Sequence, residues 1–241
     1  MSKQRNLYRP PIKEAVIEFQ FQPMLNFNKE ELLNFQEHLK ENYSSSQFLD
    51  LKKFTFGVQM DKATEVSESQ FPFQGIKLED KTRGFVVHFL KDRLSVSKIN
   101  SYNNFETLLE EFFKIYSEIN NLFKLGNISR IGLRYINEIN FPDRFKKYLE
   151  RTPLVFKKEL SGKIKRTYNQ SIFEYSDFEG AILNFIVDLK NKKIIVDTDV
   201  FNTSIFNPTE LKKVNKILDK MRKIKNDIFF QIVSDKLEEL L

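Results

Sequence analysis

Two stretches, one in each half of the chain, alternate an apolar side with a charged one, and they constrain the fold more than any other feature. In the first, Ala15, Ile17, Phe19 and Phe21 alternate with Glu14, Val16, Glu18 and Gln20. In the second, Arg130 to Asn137, the residues Ile131, Leu133 and Tyr135 alternate with Arg130, Gly132 and Arg134. A period of two is the signature of a β-strand with one face against a core. Each strand ends the same way, at Phe21-Gln22-Pro23 and at Phe141-Pro142. Proline cannot donate to a ladder, so both strands stop there.

The same order of elements follows each strand. After the first, Asn28 caps a helix with Glu30 and Glu31 in its first turn and Leu32, Leu33, Phe35 and Leu39 at helical spacing. A polar loop, Asn42 to Gln47, ends it. Four extended segments are expected at Leu51–Met60, Phe71–Leu78, Gly84–Leu90 and Leu94–Ile99, the last two joined by the turn Lys91-Asp92-Arg93. A long helix then runs from Asn104 to Leu122, with Phe105, Leu108, Leu109, Phe112, Phe113, Tyr116 and Ile119 as its apolar stripe, and Gly126 closes the region. In the second half a short helix is read at Pro142–Leu149. Extended segments follow at Leu154–Leu160, Lys163–Tyr175, Glu179–Leu189 and Lys193–Phe201, with Asn191-Lys192 as a turn of the same kind. The last helix spans Thr209 to Leu240, with a break expected near Asn226.

The fold class read from this order is α+β, with two pseudo-repeated halves, residues 1–125 and 126–241, forming one continuous unit. Each half is an antiparallel sheet covered by its long C-terminal helix. Laying Phe21 on Phe141 keeps the face alternation of both first strands, so the halves can join through those strands into one sheet.

Composition removes several chemistries. With no cysteine there is no disulfide, thiolate zinc site, iron–sulfur cluster or cysteine nucleophile. With 25 phenylalanines and no tryptophan, phenylalanine must supply the large core volume. Only 7 glycines and no phosphate loop, HExxH or GxSxG motif argue against nucleotide folds and common hydrolases. The net charge of +6 permits an anionic partner. The N-terminus has no signal-peptide core and no run approaches a membrane span, so the expected compartment is the cytoplasm, away from any membrane.

Two constellations can carry recognition. Arg130, Gly132 and Arg134 share a strand face, and Glu14 and Glu18 share the corresponding face of the first strand. If the strands are neighbours, the acids and arginines form a structural ion-pair network; alternatively the arginines hold an anion over Gly132. Asp197 and Asp199 also share a face, as strand ends or as a pair able to bind Mg²⁺, with Asp188 a conceivable third donor. His38 and His88 have no sequence partners for a triad or metal motif. Lys163 to Tyr168 is the most concentrated basic stretch with an aromatic, although a solvated face explains it as well.

The motifs Pro11-Ile12-Lys13-Glu14-Ala15, Arg130 to Asn137, Ile195 to Phe201 and Lys225 to Phe230 resemble a sporadically distributed prokaryotic family of uncharacterised function. The resemblance implies an accessory role, defence-associated or in a toxin–antitoxin pair, and carries over no catalytic residue. The expected function is a non-enzymatic binding or interaction protein with a protein partner or a small anionic ligand. The alternatives are a nucleotide- or phosphate-dependent enzyme or sensor using Arg130/Arg134 and Asp197/Asp199, and a nucleic-acid binder.

Overall fold

A computed structural model of the chain describes residues 7, 9–24, 27–50, 73–141 and 165–234. The expectations at Leu51–Met60, Pro142–Leu149 and Leu154–Leu160 lie outside the described residues. Within them the chain is α+β, one antiparallel sheet of nine strands with three helices. The strands are β1 (Ile12–Phe21), β2 (Ser45–Asp50), β3 (Phe73–Asp80), β4 (Phe85–Leu90), β5 (Arg93–Ile99), β6 (Ile128–Asn140), β7 (Arg166–Ser176), β8 (Glu179–Asp188) and β9 (Lys193–Asn202). The helices are α1 (Lys29–Leu39), α2 (Phe105–Phe123) and α3 (Leu211–Ile232).

Across the sheet the order is β2-β3-β4-β5-β1-β6-β9-β8-β7. The two alternating strands β1 and β6 are therefore neighbours at its centre, with Ala15 opposite Tyr135, Val16 opposite Arg134 and Glu18 opposite Gly132. Strand alternation puts Ala15, Ile17 and Phe19 on one face, and all three are fully buried. Phe19 meets Phe112 of α2 edge-on, with ring centroids 4.4 Å apart, and Tyr116 at 5.5 Å. Phe89 of β4 meets Phe35 of α1 and Phe123 of α2 at 5.7 and 5.0 Å. On the same face Lys225 of α3 lies over the ring of Tyr135. Burying each such phenylalanine contributes about 2–3 kcal/mol, so this layer is the main source of stability.

The helix starts obey the sequence. Asn28 accepts from the Glu31 N–H at 2.9 Å and Asn104 from the Thr107 N–H at 2.8 Å. Elsewhere the structure corrects the reading. The polar stretch 42–47 is loop only as far as residue 44; Ser45, Ser46 and Gln47 pair with Glu79, Leu78 and Lys77, because an edge strand needs ladder bonds more than an apolar pattern. Helix α2 ends on Lys124 in the left-handed region (φ 49°) rather than on Gly126. The Asn120 side chain takes the next N–H, from Leu125 at 3.2 Å, in place of a glycine cap. The two hairpin turns also differ. Leu90 pairs with Arg93 across two residues, whereas Asp188 pairs with Lys193 across four, the Asp188 carboxylate accepting from the Asn191 N–H. Helix α3 runs unbroken through Asn226, since Met221 on one side and Ile228 and Phe229 on the other are buried. One asparagine in a helix costs only about 0.6 kcal/mol.

Candidate functional site on the open sheet face

The residues that alternate with the core set, Glu14, Val16, Glu18 and Gln20, point to the other face of β1 and are partly exposed. Registers fix what joins them there. Gly132 lies between Glu18 on β1 and Phe201 on β9; Arg134 lies between Val16 and Asp199; Ile136 lies between Glu14 and Asp197. The arginines of β6 and the aspartates of β9 thus share one face, as do the glutamates of β1.

Gly132 is there for space. A Cβ built on it would come within 2.6 Å of Arg130 Nη1, so the guanidinium lies across the glycine. From that position Arg130 donates to Glu18 Oε1 at 3.0 Å on one side and to Asp199 Oδ2 at 2.8 Å on the other. Its charge also lies 5.4 Å from the Phe201 ring centroid. Glu18 accepts in addition from Gln20 Nε2 at 2.9 Å. Burial raises the Asp199 carboxyl above its usual range; Arg130 opposes this and Glu18 adds to it. The space over Gly132, where the alternative reading set an anion, holds the Arg130 guanidinium.

Arg134 makes a two-pronged pair with Asp197, Nε to Oδ1 and Nη2 to Oδ2, both 2.8 Å. That fork geometry fixes the guanidinium plane. The hydrogen bonds to Asp197 raise the Arg134 pKa, and the charges of Asp199 and Glu14 add to this. Asn184 of β8 donates to Asp197 Oδ2 at 3.1 Å, and Gln170 and Tyr168 of β7 donate to Asn184 Oδ1 at 2.8 and 2.7 Å. A side-chain chain therefore runs from β6 to the β7 edge.

Of the residues singled out from sequence, Glu18, Arg130, Gly132 and Asp199 come together, and Arg134 and Asp197 adjoin them. Glu14 sits opposite Ile136 and acts on Arg134 through its charge. Asp188 is elsewhere: it accepts from Arg166 and Asn191, and Arg166 foremost pushes its carboxyl down to about 2. Asp197 and Asp199 each face an arginine, and among the described residues no group of three His, Cys, Asp or Glu side chains is placed to hold a metal ion. His88 is on the open face opposite Lys77 and Ser95, its pKa lowered by burial and then by Lys77; His38 is in the last turn of α1. Sequence reasoning missed Gln20, Phe201, Asn184 and Gln170, which only the strand registers bring into the network.

A second charged cluster lies at one end of α2. Glu111 accepts from Tyr43 Oη at 2.7 Å and from Arg83 Nη1 at 2.8 Å, and Arg83 also holds Asp80. It borders a cavity of about 610 Å³ lined by Lys98, Ser101, Thr107 and Lys114 among others. Arg83 is shared by Asp80 and Glu111, and Lys98 donates to the Arg83 carbonyl, so the cluster reads as structural. No described helix is long and apolar enough to cross a membrane. No protein-family model and no curated protein matches the chain.

Proposed function

We propose that the chain is a non-enzymatic interaction protein of the cytoplasm that presents the open face of its sheet to a protein partner. The observation that carries this is Arg134. Its side chain is 47% exposed, yet Asp197 clamps it at both prongs near the centre of the sheet. A cation held in one orientation before binding loses little entropy on contact, and arginine is among the commonest anchors of protein interfaces. Arg130 and Arg134 already bond Glu18, Asp199 and Asp197, and those carboxylates compete with any free anion. A broad face of alternating charges suits a partner carrying its own donors and acceptors.

In this reading the face is built from two pseudo-repeated halves, residues 1–125 and 126–241, each covered by its long helix. Two facts support the duplication. Laying Phe21 on Phe141 makes Ala15 equivalent to Tyr135, and those two residues are paired across β1 and β6, where a local two-fold axis would bring equivalents together. Helix α2 contacts β5 and β1, and α3 contacts β9 and β6, the corresponding strands. The resemblance to a sporadically distributed prokaryotic family is consistent with a defence-associated or toxin–antitoxin role as part of this reading. The test is Arg134→Ala. The fold should lose about 1–3 kcal/mol, because Asp197 is buried and keeps the Asn184 donor, while partner capture disappears. Loss of several kcal/mol with capture retained would make Arg134 a structural residue and sink the proposal.

A further inference from the structure

The outer edge of β7 has the properties of a self-pairing strand. It ends the sheet order, and β8 is its one strand neighbour among the described residues. It is 11 residues long, against 6 for β2 at the opposite edge. Exposed edges are usually blunted by brevity, lysine or proline, and residues 166–176 contain neither lysine nor proline.

The direction of its free backbone groups follows from one bond. Lys165 O accepts from Leu189 N at 2.9 Å, so this pair is hydrogen-bonded. Antiparallel ladders alternate, so Thr167, Asn169, Ser171 and Phe173 also turn their backbone groups to β8. Arg166, Tyr168, Gln170, Ile172 and Glu174 turn theirs outward. These same five residues have side chains on the open face, as the pairing of Gln170 with Asn184 and of Arg166 with Asp188 requires.

Their order is self-complementary. Counted outward from Gln170, Tyr168 is matched by Ile172 and Arg166 by Glu174. Tyr168 and Ile172 are 60% and 71% exposed, unusually open for large apolar side chains in a sheet. An antiparallel copy centred on Gln170 would place Tyr168 opposite Ile172 twice and Arg166 opposite Glu174 twice. Aromatic–aliphatic and opposite-charge pairs are those that stabilise neighbouring strands. A register shifted by one residue either way loses both matches.

We propose that β7 is the docking edge for a second copy of this chain. The two strands run antiparallel about a two-fold axis through Gln170, perpendicular to the sheet. The dimer is one continuous sheet with both open faces on the same side. This does not depend on the function proposed above.

The chain's lack of cysteine makes the register directly measurable. In a hydrogen-bonded pair the two Cα atoms lie about 5.5 Å apart, within disulfide range. Gln170→Cys should form a covalent dimer under mild oxidation, whereas Phe178→Cys, exposed beyond the end of β7, should not. Light scattering of the unmodified chain should give twice the chain mass at micromolar concentration. Glu174→Arg replaces two opposite-charge pairs by two like-charge pairs and should weaken the dimer roughly tenfold. Arg166→Glu combined with Glu174→Arg should restore it, with circular dichroism confirming that each variant is folded. A monomeric unmodified chain, crosslinking of Gln170→Cys no faster than of Phe178→Cys, or a dimer indifferent to Glu174→Arg would each overturn the proposal. So would a chain that stays monomeric and takes up a foreign strand on β7.

Discussion

Replacing Arg130 by methionine tests how much of the open face is held by charge. Arg130, Glu18 and Asp199 have side chains 21%, 24% and 24% exposed, so the triad is screened but far from free in water. Methionine keeps the stem and removes both charge-assisted bonds, leaving two carboxylates on either side of Gly132. Each such bond contributes about 1.5–3 kcal/mol when buried, and halving the sum for solvent access gives about 2 kcal/mol in all. In a chain of this length that lowers Tm by about 4–8 °C. The pH dependence has a definite sign. The Asp199 carboxyl already titrates above its usual range, and losing Arg130 raises it further. A carboxyl with a raised folded pKa binds more protons folded than unfolded, so stability rises as pH falls towards that value. Calorimetry at pH 7 and pH 5 should show the gap between Arg130→Met and the unmodified protein narrowing at pH 5. A variant melting within a degree of the unmodified protein at pH 7, or a gap that widens in acid, would refute the reasoning.

Two further outcomes follow from the same structure. Burial, with Arg222 adding to it, pushes the Lys225 ammonium down to about 7 from 10.5, while the Tyr135 ring 3.9 Å away favours the charged form. A lysine with a lowered folded pKa weakens the fold in full below pH 7, and the penalty fades as pH rises to 10.5. Lys225→Met should therefore stabilise at pH 7 by about 1–3 kcal/mol and lose that advantage near pH 10.5, which denaturant titrations at both values would check. A Tm that falls at pH 7 would show the ring contact outweighing burial. Gly132→Ala pushes on the flexible end of Arg130 rather than on backbone, so Tm should move by less than about 2 °C. In that background Arg130→Met should cost less than in the parent, and an unchanged cost in the double-mutant cycle would contradict the placement of the guanidinium over the glycine.

The sequence made the elements legible where local physics decides them. The period-two runs of β1 and β6, the stripes of α2 and α3 and the caps Asn28 and Asn104 all follow from neighbours in the chain. The polar strand β2 was missed because its pairing with β3 leaves no apolar alternation in Ser45-Ser46-Gln47. The site was half legible. Face alternation put Glu14 with Glu18, Arg130 with Arg134, and Asp197 with Asp199. Which acid meets which arginine depends on registers set by the whole sheet, such as Arg134 opposite Asp199 while its guanidinium reaches Asp197. The crossing of Arg130 over Gly132 gave one local signal, the glycine two residues along the same strand face.

Native mass spectrometry of the protein purified gently from its own host bears most directly on the claim that the open face binds a protein. The account predicts a co-purifying polypeptide on the unmodified chain, absent when Arg134→Ala is purified in the same way with its fold intact. A chain that carries no other protein, or that retains a nucleotide or another small anion instead, would contradict it.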